Sequence, residues 1–291
     1  MDKPLVSVII PAYNAEAWIV ETVSSALAQT YTPVEIIVVD DTSKDGTLRA
    51  LESFKRRIRV LQNTTNLGVS GSRNRGIATA AGHYIALLDH DDLWHPEKIS
   101  RQMDLFQKIP NLGLVYSDAN IETQEGNQWR YSQASMPYRG LVFKQLIKEN
   151  FIACATSVIP QSVLAEVGLF NEKLKILEDH DLFLRIARRF PIDYIDATLA
   201  TYRIHDRNFT RHRDIYHAER IWVQSLYADE VSLEGEMALH HLGLGAALIR
   251  GRHLLSGTQA LSRGLWGAFS HSVKFAQAAI RTWHRKKRVS P

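Results

Sequence analysis

Three carboxylates within four positions, Asp89, Asp91 and Asp92, follow an apolar stretch in the segment YIALLDHDDLWHPEKI (residues 84–99). Carboxylates this close repel one another, and packing at the end of a strand does not require them. Mg²⁺ typically binds one or two carboxylates together with phosphate oxygens and water. The pair Asp89-x-Asp91 therefore indicates a site for a divalent cation beside a phosphorylated ligand. Capping of the following helix is the alternative reading of these acids.

Two further acids, Asp40 and Asp41, end the apolar segment VEIIVVDD (residues 34–41). An acid at this place recognises ribose in the dinucleotide-binding fold, but that fold needs a glycine-rich turn after its first strand. Here the first strand-like run, VSVIIP, continues into AYNAE without a glycine, so that fold is excluded. Tyr13 in this turn could stack on a base. Helix capping explains Asp41 but not the pair.

A glycine-punctuated, cationic loop follows at NLGVSGSRNRGIATAAG (residues 66–82). Its backbone N–H groups and its arginines, Arg73 and Arg75, could contact phosphate oxygens. The spacing matches no P-loop, and solvated arginines on a helix face are the alternative.

Two later segments supply further candidates for chemistry. LEDHDLFLRIA (residues 177–187) begins a predicted helix with acids, which the helix dipole favours. Asp181 and Arg185, four residues apart, are predicted to form an ion pair. Asp179 is then left as a carboxylate that could act as a general base. His205 follows a late strand pattern and is either a metal ligand or an ordinary core or surface histidine.

Alternating strand and helix patterns in the first half predict an α/β domain with a largely parallel sheet. In such sheets ligands bind outside the carboxyl ends of the strands, where these acids fall. The second half is less regular, and the pattern beyond residue 214 is helical. The predicted strands cover residues 6–11, 34–41, 58–63, 83–89, 112–121, 153–160 and 193–206.

The composition is that of a globular protein, with 45% hydrophobic and 23% charged residues among 291. No stretch approaches ~18 uninterrupted apolar residues, so no transmembrane helix is predicted. The N-terminal segment lacks the features of a secretory signal.

A single cysteine, Cys154, excludes an internal disulfide framework and fits a reducing cytoplasm. Cys154 itself is interpreted as a small buried residue rather than a nucleophile. The sequence thus predicts a cytoplasmic protein.

Six segments of the chain occur in the order found in one enzyme family. With these segments the sequence resembles the family 2 glycosyltransferases of the GT-A fold over residues 4–210. The resemblance implies an α/β, Rossmann-like, mixed and mostly parallel sheet flanked by helices, followed by a C-terminal helical extension. The segments are SVIIPAYNAE, EIIVVDDTSKDGT, NLGVSGSRNRGI, YIALLDHDDLWHPEKI, LEDHDLFLRIA and YRIHDRN.

The resemblance also implies a role for each matching residue. Tyr13 resembles the aromatic that stacks on the nucleobase, Asp40 the acid that hydrogen-bonds the edge of the base, and Asp179 the catalytic base. A divalent cofactor, Mn²⁺ or Mg²⁺, is expected. The full set implied by the resemblance is Pro11, Tyr13, Asp40, Arg73 and Asp89 for the nucleotide sugar, Asp91 and His205 for the metal, and Asp179 for catalysis.

An inverting, metal-dependent transfer of sugar follows from this resemblance. The expected donor is a nucleotide sugar, with a UDP-sugar favoured, and the expected acceptor is a glycan or a lipid-linked glycan of bacterial surface polysaccharide. A catalytically inactive nucleotide-sugar-binding protein of the same fold is the alternative. The implied organisation is a catalytic domain over residues 1–213, with a nucleotide-sugar-binding half (1–105) and an acceptor half (106–213), and a helical basic region over 214–291.

The C-terminal region lies outside the resemblance and has an unusual charge. Residues 237–291 contain nine Lys and Arg and no acid, whereas residues 1–236 carry a net charge of −5. Apolar residues from Leu265 to Trp283 fall near one helical face of residues 264–288. Such a basic amphipathic helix could contact an anionic membrane, here the cytoplasmic face of the inner membrane. Packing on the catalytic domain is the alternative, and no module for nucleic acid accompanies the tail.

Overall fold

The computed structural model describes residues 3–206, 208, 212–231, 233–250 and 260. In this part of the chain the strands are Val6–Ala12 (β1), Val34–Asp40 (β2), Arg59–Gln62 (β3), Tyr84–Leu87 (β4), Leu93–Trp94 (β5), Leu114–Thr123 (β6), Gln128–Arg130 (β7), Val158–Pro160 (β8) and Ile192–Ile204 (β9). The helices are Ile19–Leu27 (α1), Thr47–Leu51 (α2), Gly68–Thr79 (α3), Lys98–Lys108 (α4), Phe143–Leu146 (α5), Gln161–Val167 (α6), Glu178–Ala187 (α7), Arg213–Ser225 (α8) and Glu234–Arg250 (α9).

The described strands form one mixed sheet in the order β3-β2-β1-β4-β8-β6-β9-β5, with β7 paired to β6. Strands β3, β2, β1 and β4 run parallel, as do β6 and β9. Strand β8 is antiparallel to both β4 and β6, and it joins the two parallel groups. The predicted α/β class with parallel strands in the first half is therefore confirmed.

Strands β1 and β2 show the continuous burial that is typical of parallel strands. Every residue of β1 is buried, and so is β2 from Ile36 onward. Strands covered on both faces have near-continuous apolar sequences, as these have. Helix α3 packs so closely on β1 and β2 that a Cβ at Gly76 would lie 2.7 Å from Ile9 Cγ2. The predicted strands at 34–41 and 83–89 thus lie where expected, within one or two residues at each end.

The segment 153–160 departs from its prediction as a strand. Residues Cys154–Thr156 form a short 3₁₀ turn, and only Val158–Pro160 is a strand. The hydroxyls of Thr156 and Ser157 donate to the carbonyl oxygens three residues earlier, at Ala153 and Cys154. Such local bonds compete with strand pairing, which accounts for the turn. Strand β7, Gln128–Arg130, is also absent from the strands predicted from the sequence.

Two compact units make up the chain: Met1–Lys173 with Glu178–Asp206, and Leu174–Leu177 with Arg207–Pro291. The first contains the whole sheet, and the second contains α8 and α9.

No helix in the described residues is both long enough and apolar enough to cross a membrane. The amphipathic segment predicted over 264–288 lies outside the described residues. The division into halves at residue 105 stays a prediction.

Candidate functional site

The carboxyl ends of three adjacent parallel strands carry the predicted nucleotide site. Ala12, the last residue of β1, pairs with Asp40, the last residue of β2. Strand β4 pairs with the other side of β1 and ends two residues before Asp89. Tyr13, directly after β1, is 47% exposed. The fold therefore brings Tyr13, Asp40 and Asp89 to one edge of the sheet, where open α/β sheets bind their ligands.

Asp40 has the features of a ligand-binding carboxylate. Its side chain is buried, and among the described residues Oδ1 has no hydrogen-bond partner. The other oxygen accepts a 3.3 Å hydrogen bond from the backbone N–H of Ser43. A buried oxygen without a donor costs free energy that a ligand N–H can recover. Pro11 differs: it is buried inside β1, and its carbonyl oxygen lies 3.2 Å from His90 Nδ1.

Asp41, the neighbour of Asp40, has a structural role. Its carboxylate accepts hydrogen bonds from the backbone N–H groups of Leu67 and Gly68, both at 2.8 Å, and from Asn63 Nδ2 at 2.7 Å. These bonds fix the loop that leads into α3. The structure thus separates the two acids: Asp41 fixes this loop, whereas Asp40 Oδ1 has no hydrogen-bond partner among the described residues.

Arg73 joins the acidic loop after β4 to the acidic start of α7. Arg73 is 2% exposed, and its guanidinium pairs with Asp89 at 2.5 Å and with Glu178 at 2.7 Å. The Phe170 ring lies 5.1 Å from the guanidinium carbon. Because a buried charge must be paired, this arrangement holds the two segments together. Contact of Arg73 with the donor stays a prediction, and its observed partners are these carboxylates.

Asp91 and His205, the two predicted metal ligands, are in contact. His205 Nε2 lies 2.9 Å from Asp91 Oδ2, and both side chains are largely buried. The indole of Trp18 stacks on the His205 ring at a centroid distance of 4.2 Å and an interplanar angle of 13°. This separation is that of a hydrogen bond, and it is also close to the ~3.0 Å between adjacent ligands of an octahedral ion with ~2.1 Å bonds.

Protein side chains alone do not complete a metal site here. Among the described residues, no group of three or more His, Cys, Asp and Glu side chains could hold an ion. The donor set of one carboxylate and one imidazole leaves the remaining positions to phosphate oxygens and water, as is common for Mg²⁺ and its substitutes. The residues present therefore fit a cation that binds together with a diphosphate.

Asp92 is a buried residue whose hydrogen bonds stabilise the acidic loop after β4. It is fully buried, and its Oδ1 accepts a 3.1 Å hydrogen bond from the backbone N–H of Arg203. Burial, together with the charges of Asp91 and Asp89, raises the pKa of Asp92 well above its usual range. Thr22 on α1 donates to the backbone carbonyl of Asp92 at 2.9 Å. Asp92 is thus a structural acid, for which the sequence assigned no role.

Asp179 lies in the first turn of α7 and is partly exposed. Its Oδ1 accepts a 2.6 Å hydrogen bond from the backbone N–H of His180. Burial and the neighbouring Glu178 raise the pKa of Asp179 to about 8, against the opposing effect of Arg73. A carboxylate with a pKa near the working pH is suited to general base catalysis.

The ion pair predicted between Asp181 and Arg185 is confirmed at 3.0 Å.

Sequence reasoning missed two residues of this site, Glu178 and Trp18. Glu178 carries the contact to Arg73, which is 105 residues away in the chain. Burial raises the pKa of the Cys154 thiol well above normal, with Arg73 and Asp89 also acting on it, so a nucleophilic role is not supported. Trp18 lies directly before α1, and no local pattern relates it to His205, which is 187 residues away in the sequence.

The family model of glycosyl transferase family 2 matches residues 7–168, more than half of the chain. The chain belongs to glycosyl transferase family 2. Asp179 and His205 lie beyond the matched residues, so their roles do not rest on that match. The resemblance seen in the sequence is thereby confirmed for the family.

Two relatives illustrate the family membership. An uncharacterised glycosyltransferase of Rickettsia conorii is 36% identical over 216 residues, which cover 70% of this chain but 36% of that protein. This chain therefore spans about a third of the length of that relative. The UDP-Glc:alpha-D-GlcNAc-diphosphoundecaprenol beta-1,3-glucosyltransferase WfgD of Escherichia coli is 33% identical over 198 residues, covering 68% of this chain and 75% of that protein.

Solved structures confirm the GT-A fold. S. aureus TarS 1-349 in complex with UDP-GlcNAc has a TM-score of 0.63 at 16% identity, covering 97% of this chain and 92% of that chain. The mannosyltransferase PcManGT from Pyrobaculum calidifontis, in complex with GDP-Man and Mn²⁺, has a TM-score of 0.64 at 17% identity, covering 96% and 87%. At such identities the similarity establishes the fold alone.

Proposed function

We propose that this protein is an inverting glycosyltransferase that moves a sugar from a nucleotide-diphosphate donor to an acceptor hydroxyl. The observation that carries the proposal is the buried bridge from Asp89 through Arg73 to Glu178. This bridge links the loop after β4, which contains Asp89 and Asp91, to α7, which contains Asp179. Membership of glycosyl transferase family 2 supports the reaction class.

The donor we propose is a UDP-sugar. Tyr13 offers an exposed ring for stacking on a base, and Asp40 offers a buried acceptor oxygen for an N–H group at the base edge. The E. coli relative uses UDP-Glc by its name, and TarS binds UDP-GlcNAc. Asp89, anchored by Arg73, is the expected contact for the ribose.

The cofactor we propose is Mn²⁺ or Mg²⁺, held by Asp91 and His205. When bound, such an ion stabilises the negative charge that develops on the departing diphosphate. The contact of the two side chains at 2.9 Å and the Mn²⁺ of the PcManGT complex support this assignment. Trp18 keeps the imidazole in its plane by stacking.

Asp179 acts as the general base in this proposal. It accepts the proton of the acceptor hydroxyl while that oxygen attacks the anomeric carbon. The bond from the anomeric carbon to the diphosphate oxygen breaks, and its electron pair leaves with the diphosphate. Attack from the opposite face inverts the anomeric configuration and needs no protein nucleophile. The partial exposure of Asp179 lets an acceptor reach it.

The acceptor class we propose is a glycan or lipid-linked glycan of bacterial cell-surface polysaccharide. Its support is the diphosphoundecaprenol acceptor in the name of the E. coli relative. A cytoplasmic location with membrane contact through residues 264–291 belongs to this proposal. Flotation with anionic vesicles, compared between the full chain and a chain ending at residue 263, tests that contact. Equal flotation of both would refute it.

A donor panel tests the proposed function. We expect one UDP-sugar to raise the Tm in the presence of Mn²⁺, since a ligand that binds only the native state stabilises it. The same donor should release UDP when acceptor glycans are added. His205→Ala should weaken Mn²⁺ binding, measured by electron paramagnetic resonance, without changing the fold. UDP-sugar binding without any turnover across the acceptor panel would instead support the inactive binding protein.

A further inference from the structure

Glu219, on α8, holds the segment that leads into the helix of the proposed catalytic base. Its carboxylate accepts hydrogen bonds from three consecutive backbone N–H groups: Lys175 at 2.7 Å, and Ile176 and Leu177 at 3.0 Å each. Glu219 is 2% exposed. Leu177 is followed directly by Glu178, the first residue of α7.

Three converging N–H groups on one buried carboxylate form a strong and specific arrangement. Hydrogen bonds to an ionised acceptor are shorter and about twice as strong as neutral ones. Loss of these donors would remove three charge-assisted hydrogen bonds from a buried carboxylate, so the segment and Glu219 stabilise each other. The backbone of residues 175–177 is therefore fixed immediately before α7 begins.

The position of this segment matters because the proposed base follows it within two residues. Asp179 is the second residue of α7, and its neighbour Glu178 pairs with Arg73. A change in the path of residues 175–177 would pass through the chain to both side chains. A misplacement of about 1 Å at a reacting group can cost ~10²-fold in rate.

We propose that Glu219 is a positioning residue, which sets the place of Asp179 through the backbone of residues 175–177. This inference rests on the proposed function of Asp179. It assigns the C-terminal region a part in catalysis, although the match to the family ends at residue 168. The sequence resemblance, which ends at residue 210, did not suggest such a part.

The test compares Glu219→Gln with Glu219→Asp and with the surface variant Glu166→Gln. Gln keeps the size of the side chain, but it has only one acceptor oxygen. Its NH₂ group cannot accept a hydrogen bond from the backbone N–H groups of residues 175–177. Asp keeps the charge on a shorter chain. Glu166 is a matched control because its ion pair with Arg189, at 3.0 Å, is about half exposed on both sides.

We expect Glu219→Gln to lower kcat at least tenfold while the Kd for UDP stays within about twofold. The apparent pKa in the pH profile of kcat/KM should also move, since the surroundings of Asp179 change. Glu219→Asp should recover part of the rate, and Glu166→Gln should match the wild type. A loss of rate that only follows the folded fraction, with an unchanged pH profile, would overturn the inference.

Hydrogen exchange supplies a readout that does not depend on turnover. The amides of Lys175, Ile176 and Leu177 should exchange slowly in the wild type and faster in Glu219→Gln. Fast exchange of all three in the wild type would refute the inference even if the variants failed to fold. A wild type that transfers no sugar would contradict the proposed function instead, whereas an active wild type with an equally active Glu219→Gln would contradict only this inference.

Discussion

The pH dependence of turnover is the sharpest test of the role of Asp179. A general base works in its deprotonated form, and burial with the charge of Glu178 raises the pKa of Asp179 to about 8. At pH 7 about a tenth of the free protein then carries the carboxylate, and at pH 9 about nine tenths. We therefore expect kcat/KM to rise about tenfold between pH 7 and pH 9. The assay is initial-rate UDP release with saturating Mn²⁺.

Asp179→Asn should lower kcat by ~10²-fold or more and remove this rise. Asp181→Asn is a matched control, because Asp181 lies on the same helix but pairs with Arg185 at 3.0 Å. The control should lose stability and keep the pH profile. A flat wild-type profile over this range, or a profile that survives in Asp179→Asn, would refute the assignment of the base.

The same pKa has a consequence for stability. A carboxyl whose folded pKa is raised contributes stability that is fully present below its unfolded pKa and is lost as pH rises through about 8. Asp179→Asn has no carboxyl that ionises at this position, so it does not lose stability in this way. We expect its Tm advantage over the wild type to grow from about pH 4 upward and to level off above pH 8. Improved stability with lost activity is a common sign of a functional site.

Three further substitutions test the structural assignments. Asp40→Asn should weaken UDP binding by about 10- to 100-fold in calorimetry, because a hydrogen bond to a charged group contributes about 1.5–3 kcal/mol; an unchanged Kd would show that Oδ1 does not meet the base. Asp41→Asn should instead lower the free energy of unfolding by about 2 kcal/mol in urea, with UDP binding within threefold; the reverse pattern would exchange the roles of the two acids. Gly76→Ala should cost about 1–3 kcal/mol, because its Cβ would meet Ile9 Cγ2 at 2.7 Å; a neutral Tm would contradict the close packing of α3.

The strands and the acids at their ends could be predicted from the sequence because the signals are local. Continuous apolar runs mark β1 and β2 as buried parallel strands. Asp40 is the last residue of β2 and Asp89 lies two residues after β4, so their common edge follows from the topology alone. The pair Asp181 and Arg185 was predictable for the same reason, since four residues make one helical turn.

Contacts between distant segments could not be predicted in this way. No local pattern relates Arg73 to Glu178, because 105 residues separate them. The acids of α7 were interpreted as favourable to the helix dipole, which explains their presence but not their partners. The irregular register of β6 against β9 at Ser117 and Asp118 is likewise a product of tertiary packing. There Asp118 is buried and pairs with Arg130 at 2.5 Å.

The bridge through Arg73 limits how this protein can be re-engineered. A chimera that takes residues 84–99 from a relative replaces Asp89, one of the two partners of the Arg73 guanidinium. The other partner, Glu178, stays unchanged. Because a buried cation with a single carboxylate is poorly compensated, such exchanges should succeed only when all three positions are transplanted together. Positions 73, 89 and 178 would then be inherited as one block rather than chosen separately.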